Sequence, residues 1–166
     1  MRTELYWIDT VGPGRLAVMP RPRGGDWLED EILALKEDGV DILVSMLTPE
    51  EESYLGLERE AQTARRHGLR FYAHPVWDRG IPEDPAPTWT LARELADHHA
   101  EGRTIVAHCR MGIGRSPLML ASIMVVRGSD PDNAWAAISA ARGCLVPDTP
   151  EQRTWLARTR PGTPSS

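Results

Sequence analysis

Short runs of apolar residues, some continuous and some alternating with polar ones, recur along the chain between segments with helical spacing. Runs of this length predict β-strands over five segments: Leu5–Ile8, Arg15–Met19, Asp41–Leu47, Arg70–Val76 and Thr104–His108. A Gly-Pro-Gly turn joins the first two strands, which predicts a hairpin pair. Because the later strands alternate with helical segments, we expect an α/β fold with a central, mostly parallel sheet flanked by helices.

Helical patterns fill the intervals between the predicted strands. They predict helices over residues 27–38, 48–67, 88–100, 116–127, 130–142 and 150–158. The second of them begins with Thr48-Pro49-Glu50-Glu51, which combines a capping residue, a proline at the first helical position and a capping-box glutamate. The fourth is apolar on nearly every side, so we expect it to be central and buried. Residues 78–87 are rich in proline, glycine and acidic side chains and predict an exposed loop.

Length, charge and cysteine content narrow the class of protein. The chain has 166 residues, which suits one domain; we expect folded structure over residues 1–158 and a disordered tail over residues 159–166. The net charge of -5 offers no field to attract nucleic acid, and no run of about 18 apolar residues predicts a membrane span. The two cysteines, Cys109 and Cys144, are too few for a disulfide framework. We therefore expect a soluble, cytoplasmic protein without nucleic-acid or membrane partners, and no Cys/His spacing predicts a metal site.

One segment carries residues that an ordinary strand-to-helix connection does not need. Residues 105–117 read IVAHCRMGIGRSP: a predicted strand ends at a cysteine, two glycines follow, and an arginine and a serine open the buried helix. The strand places Cys109 at the carboxyl edge of the sheet, where open α/β folds bind ligands. The glycines allow backbone N–H groups to turn inward as an anion-binding nest, to which the helix N-terminus adds its own N–H groups. We expect a phosphate-like dianion to bind to Arg110, Met111, Gly112, Ile113, Gly114 and Arg115.

The chemistry expected of this loop centres on the cysteine. A thiol at a helix N-terminus beside a guanidinium has a pKa well below the usual value of about 8.5, so Cys109 is expected to be a thiolate and a nucleophile. Arg115 presents a planar fork that matches two phosphate oxygens. Ser116 lies near enough in sequence to hydrogen-bond the sulfur and to assist its departure as a thiolate. A buried cysteine on a plain turn is the simpler alternative, but it does not account for the ordered combination of His-Cys, glycines and Arg-Ser.

HCRMGIGRS, residues 108–116, resembles the HCxxGxxR(S/T) signature of the cysteine-dependent protein tyrosine and dual-specificity phosphatases. The resemblance covers about residues 39–157, with dense matches only in the cysteine loop. It implies a protein tyrosine phosphatase-like fold in which Cys109 is the nucleophile and Arg115 binds the phosphoryl group. It also implies that His108 braces the loop and tunes the thiolate. Pro117 departs from the glycine common after Arg-Ser, although a proline is well tolerated in a first helical turn.

An aspartate loop upstream of the cysteine adds to the resemblance. PVWDRGIPED, residues 75–84, is similar to the PxPDRGxP-type loops of compact dual-specificity phosphatases. The similarity implies that Asp78 acts first as general acid and then as general base, on a loop that moves. Glu83 and Asp84 are the rival acids, and of the three only Asp78 matches the family's position.

A third segment, ARGCLVPDTPEQRTWL, resembles the RxxxVQTxxQ segment of tyrosine phosphatases, in which the first glutamine positions the hydrolytic water. The alignment puts Asp148 in the place of that glutamine and Gln152 in the place of the second. Both residues are therefore supporting candidates. Asp78 is expected to activate the water in place of the missing glutamine. Gln152 is expected on a helix surface. Cys144 is expected to be a small buried residue; a sharper hypothesis pairs it with an oxidised Cys109 in a protective disulfide.

The resemblance implies a phosphatase that uses no metal or cofactor and forms a cysteinyl-phosphate intermediate. Its partner is expected to be a phosphorylated protein, carrying phosphotyrosine or phosphoserine and phosphothreonine, or a small phosphomonoester, and a monomer is favoured. Only Arg110 adds charge within the loop, which favours a singly phosphorylated substrate. Two other classes stay open: a sulfurtransferase or arsenate reductase, which also place a cysteine in an anion-binding loop, and a module that binds phosphoproteins without catalysis.

Overall fold

A five-stranded sheet forms the centre of the protein, in the spatial order β1-β2-β5-β3-β4. The computed structural model describes residues 2–162. The strands are β1 Tyr6–Ile8, β2 Arg15–Met19, β3 Ile42–Ser45, β4 Arg70–Ala73 and β5 Thr104–His108. β1 pairs with β2 in antiparallel orientation, and all other neighbours are parallel. The predicted α/β fold with a mostly parallel sheet is confirmed.

Helices cover both faces of this sheet. They are α1 Leu28–Glu37, α2 Pro49–Leu55, α3 Glu60–Arg66, α4 Pro85–Ala100, α5 Arg115–Val126, α6 Pro131–Arg142 and α7 Pro150–Thr159, with a short 3-10 helix at Gly25–Trp27. One apolar cluster contains buried residues of α1 and α3, and a second contains those of α4, α5, α6 and α7. α5 is buried along nearly its whole length, as its apolar sequence predicts. None of the helices within residues 2–162 has the length and apolarity needed to cross a bilayer.

The alternation of side chains along β5 sends consecutive residues to opposite faces of the sheet. Val106 packs in the cluster that contains α1 and α3, whereas Ala107 packs in the cluster that contains α5. His108 therefore faces the α3 side, and Cys109 lies in the α5 cluster. The end of β5 thus separates the histidine and the cysteine onto opposite faces, each with its own set of neighbours.

The helix predicted over residues 48–67 is in fact two helices, so that prediction was wrong. Gly56 ends α2 in the left-handed conformation at φ 71°, a backbone state that favours glycine and stops a helix. Its carbonyl accepts a hydrogen bond from Gly25 N at 2.9 Å, which fixes the turn against the segment before α1. The break places Glu51 on α2 and Glu60 on α3, and both residues contact the site described below.

Two further boundaries differ from the predictions. α4 begins at Pro85, inside the segment predicted to be loop, because the carboxylate of Asp84 caps it by accepting a hydrogen bond from Ala86 N at 3.1 Å. At the other end, Thr159 is the last residue of α7, and its hydroxyl accepts a hydrogen bond from Trp89 Nε1 at 3.0 Å. Residues 163–166 of the predicted tail lie outside the described residues.

Candidate active site

The loop that follows β5, residues 109–115 (the Cys109 loop), needs glycine at two positions. Gly112 has φ 75°, and a Cβ on it would lie 3.0 Å from the backbone of Met19 and Pro20. A Cβ on Gly114 would lie 3.0–3.2 Å from the side chains of Gln152 and Asp148. The two glycines let the loop turn tightly between the end of β2 and the segment that leads into α7.

The carbonyl groups of the Cys109 loop are held outward by hydrogen bonds from surrounding groups. The donors are Arg21 N to Arg110 O at 3.1 Å, Arg142 Nη2 to Met111 O at 3.1 Å, Arg142 Nε to Gly112 O at 3.3 Å and Leu118 N to Gly114 O at 3.0 Å. In a planar trans peptide the N–H points opposite to the C=O. The following amides are therefore directed away from these partners, and that of Gly112 hydrogen-bonds the Cys109 sulfur. Amides that converge in this way are typical of an anion-binding nest.

Arg142, at the end of α6, is a functional candidate that the sequence did not reveal. Its guanidinium donates to two successive loop carbonyls and also lies 4.2 Å from the centroid of the Tyr6 ring. An arginine can serve two acceptors because its donors form a rigid planar fork. In a chain with many arginines, no local pattern singles out the one that the fold brings beneath the loop.

Cys109 is buried, and its sulfur lies 3.2 Å from Ser116 Oγ. Burial by itself raises the pKa of the Cys109 thiol. The hydrogen bonds from the Ser116 hydroxyl, the Ser116 amide and the Gly112 amide, together with the charge of Arg115, outweigh burial, so the pKa of Cys109 lies below its ordinary value. The structure brings the predicted nucleophile and its serine into contact.

His108 is fully buried between two acceptors on the α3 side of the sheet. Its Nδ1 lies 3.1 Å from Cys109 O and its Nε2 lies 2.5 Å from a carboxylate oxygen of Glu60. Burial lowers the pKa of His108, but the charge and hydrogen bond of Glu60 outweigh it and raise the pKa above its ordinary value. An imidazolium donates from both nitrogens, and this form satisfies both acceptors. Glu60 was missed because its only sequence signal is a polar position in a helix.

The guanidinium of Arg115 is buried and bound by Glu51 on both terminal nitrogens. Nη1 lies 2.6 Å from Glu51 Oε1, and Nη2 lies 2.9 Å from Glu51 Oε2. Nη1 also donates to Val76 O at 2.8 Å. Burial raises the pKa of Glu51, but the hydrogen bonds and charge of Arg115 outweigh it and hold that pKa below its ordinary value. Glu51 was predicted only as a capping-box residue; it forms that box with Thr48 and orients the arginine as well.

Asp78, the acid that the resemblance implies, lies beside Arg115. Its Oδ1 is 3.1 Å from Arg115 Nη2, and its side chain is about half exposed. The segment 77–80 (the Asp78 loop) turns sharply: Gly80 N donates to Trp77 O at 2.8 Å, and Arg79 adopts the left-handed region at φ 61°, uncommon for a non-glycine residue. From this turn the Asp78 carboxylate reaches Arg115, the last residue of the Cys109 loop.

Gln152 was expected on a helix surface, and this expectation was wrong, because its side chain is fully buried. Its Nε2 donates to Gly80 O at 3.0 Å, while its Oε1 accepts from Thr149 N at 3.2 Å in a capping box. Asp148 lies 3.2 Å from Arg79 in an ion pair. Both supporting candidates thus contact the Asp78 loop and also lie close to Gly114.

Three of the remaining predicted residues belong to the Cys109 loop itself. The guanidinium of Arg110 lies 5.7 Å from the centroid of the Tyr54 ring, Met111 is exposed, and Ile113 packs against the core that contains α5. Cys144 was expected to be buried, but it is exposed on the segment after α6. Within residues 2–162, no three His, Cys, Asp or Glu side chains form a group that could hold a metal ion.

Fold and site together define a protein of the tyrosine phosphatase-like α/β class, with a cysteine loop at the carboxyl edge of the sheet. The family model described as "Tc-R-P: Polymorphic toxin system, DSP-PTPase phosphatase" matches residues 17–129, and the chain belongs to this family. The family is consistent with the dual-specificity phosphatase resemblance found in the sequence.

The chain is also similar to two curated proteins. Cyclin-dependent kinase inhibitor 3 of Rattus norvegicus is 27% identical over 124 residues, and that of Mus musculus is 27% identical over 123 residues. Each match covers 74% of this chain and 58% of the relative, so the chain spans only that share of the curated relatives' length.

Solved structures show the same fold. A kinase associated phosphatase whose catalytic site cysteine is substituted by serine has a TM-score of 0.86 at 20% identity, covering 96% of this chain and 95% of that chain. Tk-PTP in its active form has a TM-score of 0.73 at 21% identity, covering 96% and 97%.

Proposed function

We propose that this protein hydrolyses phosphomonoesters on phosphoproteins, at phosphotyrosine and at phosphoserine or phosphothreonine, through a cysteinyl-phosphate intermediate. The observation that carries the proposal is the 3.2 Å contact between Cys109 Sγ and Ser116 Oγ inside a loop whose amides point inward. A phosphoprotein substrate is supported by the chain's fold, which is similar to that of a kinase associated phosphatase. The proposal includes no metal or cofactor.

Substrate binding changes the partner of Arg115. The inward amides and the Arg115 guanidinium bind the phosphoryl oxygens, and Nη2 exchanges the Asp78 carboxylate, 3.1 Å away, for a phosphoryl oxygen. Asp78, no longer paired with Arg115, takes up a proton from solvent and lies beside the bound phosphoryl group. It is then the acid that the first step needs.

The first chemical step transfers the phosphoryl group to sulfur. The Cys109 thiolate forms an S–P bond while the P–O bond to the leaving group breaks, and Asp78 gives its proton to the leaving oxygen. Charge on the equatorial oxygens is stabilised by Arg115 and the loop amides, which are already oriented before reaction.

The second step returns the enzyme to its starting state. Asp78, now a carboxylate, takes a proton from water as the water oxygen attacks phosphorus and the S–P bond breaks. The electron pair of that bond returns to sulfur, and Ser116 Oγ donates a hydrogen bond to the departing thiolate. Inorganic phosphate leaves, Asp78 releases to solvent the proton that it took from water, and its carboxylate pairs with Arg115 again.

The experiment compares the wild type with Cys109→Ser on para-nitrophenyl phosphate and a phosphotyrosine peptide. We expect Cys109→Ser to abolish turnover, while the matched variant Cys144→Ser, at the exposed cysteine, keeps the wild-type rate. A wild-type rate in Cys109→Ser would contradict the mechanism. Persulfide transfer and arsenate reduction are assayed in parallel, and wild-type activity in either without phosphatase activity assigns the loop to one of those reactions instead.

A further inference from the structure

Four large, highly exposed apolar side chains lie on the Cys109 loop or on segments that contact it. Among residues 2–162 they are Tyr54, Trp77, Met111 and Leu145, with exposed fractions of 79%, 64%, 60% and 87%. We call these four residues the apolar rim. None of them belongs to either apolar core cluster, so the packing of the core does not involve these four side chains.

Each rim residue lies on a segment bound to the catalytic site. Tyr54 contacts the guanidinium of Arg110 on the loop, and Met111 belongs to the loop itself. Trp77 directly precedes Asp78. Leu145 lies between Arg142, which holds the loop carbonyls, and Asp148, which pairs with Arg79 of the Asp78 loop.

A single exposed apolar side chain is common on protein surfaces, whereas a group of them around a site is typical of an interaction surface. The loop at the centre of the rim is built to bind a phosphoryl group. The molecule that covers the rim is therefore the one that carries the phosphate. A small, highly hydrated phosphomonoester has no apolar surface with which to cover four such side chains, whereas a polypeptide has.

Charge near the rim disfavours acidic partners. Exposed carboxylates lie at Glu50 on α2, next to the arginine-binding Glu51, and at Glu83 and Asp84 after the Asp78 loop. Arg79 is paired with Asp148 at 3.2 Å. Arg110 and Arg142 add two positive charges, one fewer than the three exposed carboxylates. With a net charge of -5 on the whole chain, acidic residues beside the phosphorylated one meet repulsion rather than attraction.

We propose that the apolar rim binds the residues flanking the phosphorylated residue of a protein substrate, and that it selects apolar flanks over acidic ones. This inference rests on the proposed function and names its substrate class. The rim contributes binding outside the reacting group, so its effect falls on peptide substrates more than on para-nitrophenyl phosphate.

The test uses three peptides that carry one phosphotyrosine each, flanked by leucine and valine, by serine and glycine, or by aspartate and glutamate. We expect kcat/KM to be highest for the apolar flanks and lowest for the acidic ones, at about tenfold between the extremes. The double variant Tyr54→Ser/Leu145→Ser is expected to lower kcat/KM about tenfold more for the apolar peptide than for para-nitrophenyl phosphate. The matched control Val11→Ser/Leu33→Ser alters two exposed apolar residues outside the rim.

Several outcomes would overturn the inference: preference for the acidic peptide, an equal effect of the rim and control variants, or faster hydrolysis of a phosphoinositide in phosphatidylcholine vesicles than of every peptide. Binding of the same peptides to Cys109→Ser, measured by fluorescence anisotropy, separates the rim from the chemistry. Flank-selective binding without hydrolysis by the wild type contradicts the proposed function and supports the rim. Hydrolysis of para-nitrophenyl phosphate without flank preference contradicts the rim alone.

Discussion

Arg115 Nη2 and Asp78 Oδ1 lie 3.1 Å apart, so the arginine expected to bind phosphate is already paired with the aspartate expected to protonate the leaving group. Glu51 occupies the other side of the same guanidinium. The ion pair joins the Asp78 loop to Arg115, the last residue of the Cys109 loop. A phosphoryl group competes with Asp78 for one nitrogen, and this competition leads to the first prediction.

Asp78→Asn should separate phosphate binding from catalysis. Without its carboxylate the variant has no general acid, so we expect kcat to fall about 10²–10⁴-fold for substrates with poor leaving groups. Vanadate affinity should not fall, because removing the Asp78 charge frees Arg115 Nη2. Steady-state kinetics and vanadate inhibition measure the two effects. Asp84→Asn, at the residue that caps α4, is the control. An equal loss of kcat in that variant would contradict the assignment of the general acid to Asp78.

Glu51→Gln should weaken phosphate binding without unfolding α2. Glutamine keeps the capping box with Thr48, but its amide group replaces the second oxygen that accepts a hydrogen bond from Arg115. A charged hydrogen bond contributes about 1.5–3 kcal/mol, so we expect kcat/KM and vanadate affinity to fall about 10–100-fold. Circular dichroism checks that the helix persists. The neighbouring Glu50→Gln should match the wild type, and a similar loss in that variant would point to the general charge of α2 instead.

Glu60→Gln should change how stability depends on pH. The pKa of His108 is raised in the folded protein, so its pairing with Glu60 stabilises the fold fully below the ordinary histidine value of about 6.5 and is lost as pH rises through the raised pKa. We expect the variant to be less stable by about 1.5–3 kcal/mol at pH 6, with a smaller difference at pH 9. Urea unfolding across this range measures the difference. A difference in the free energy of unfolding that stays constant with pH would mean that His108 does not titrate with its partner. The control is Glu58→Gln, at an exposed glutamate.

Arg142→Gln should loosen the Cys109 loop and raise the pKa of the Cys109 thiol toward its ordinary value. The variant removes the donors to Met111 O and Gly112 O, so the amides that stabilise the thiolate lose their orientation. We expect vanadate affinity to fall about tenfold, and Arg142→Lys to restore little of it, since lysine lacks the planar fork. The rate of alkylation against pH measures the thiol pKa directly.

A purely structural role for Arg142 makes a different prediction. Lower thermal stability with an unchanged alkylation profile would show that the arginine supports α6 and not the thiolate. Arg153→Gln, at an exposed arginine on α7, controls for the loss of one positive charge near the site. The wild-type profile is expected in that variant.

Local patterns in the sequence determined the sheet, the buried helix α5 and the order of residues in the Cys109 loop. These features are local because a strand, a glycine turn and a helix N-terminus each depend on neighbouring residues. Since the carboxyl end of a parallel strand lies at one edge of the sheet, the position of Cys109 followed from its place after β5. The resemblance added Asp78, which the structure places against Arg115.

Only the tertiary structure decided which partners hold these groups. Glu51 and Arg115 are 64 residues apart, Glu60 and His108 are 48 apart, and Gln152 and Gly80 are 72 apart. Such contacts depend on how whole helices pack across the two faces of the sheet, and no periodicity or capping signal reports that packing. The sequence thus determined the atoms that we propose to react, because their chemistry is set by residue type and local backbone. Packing determined the carboxylates and carbonyls that orient them, because those groups come together only when distant segments bury the same surface.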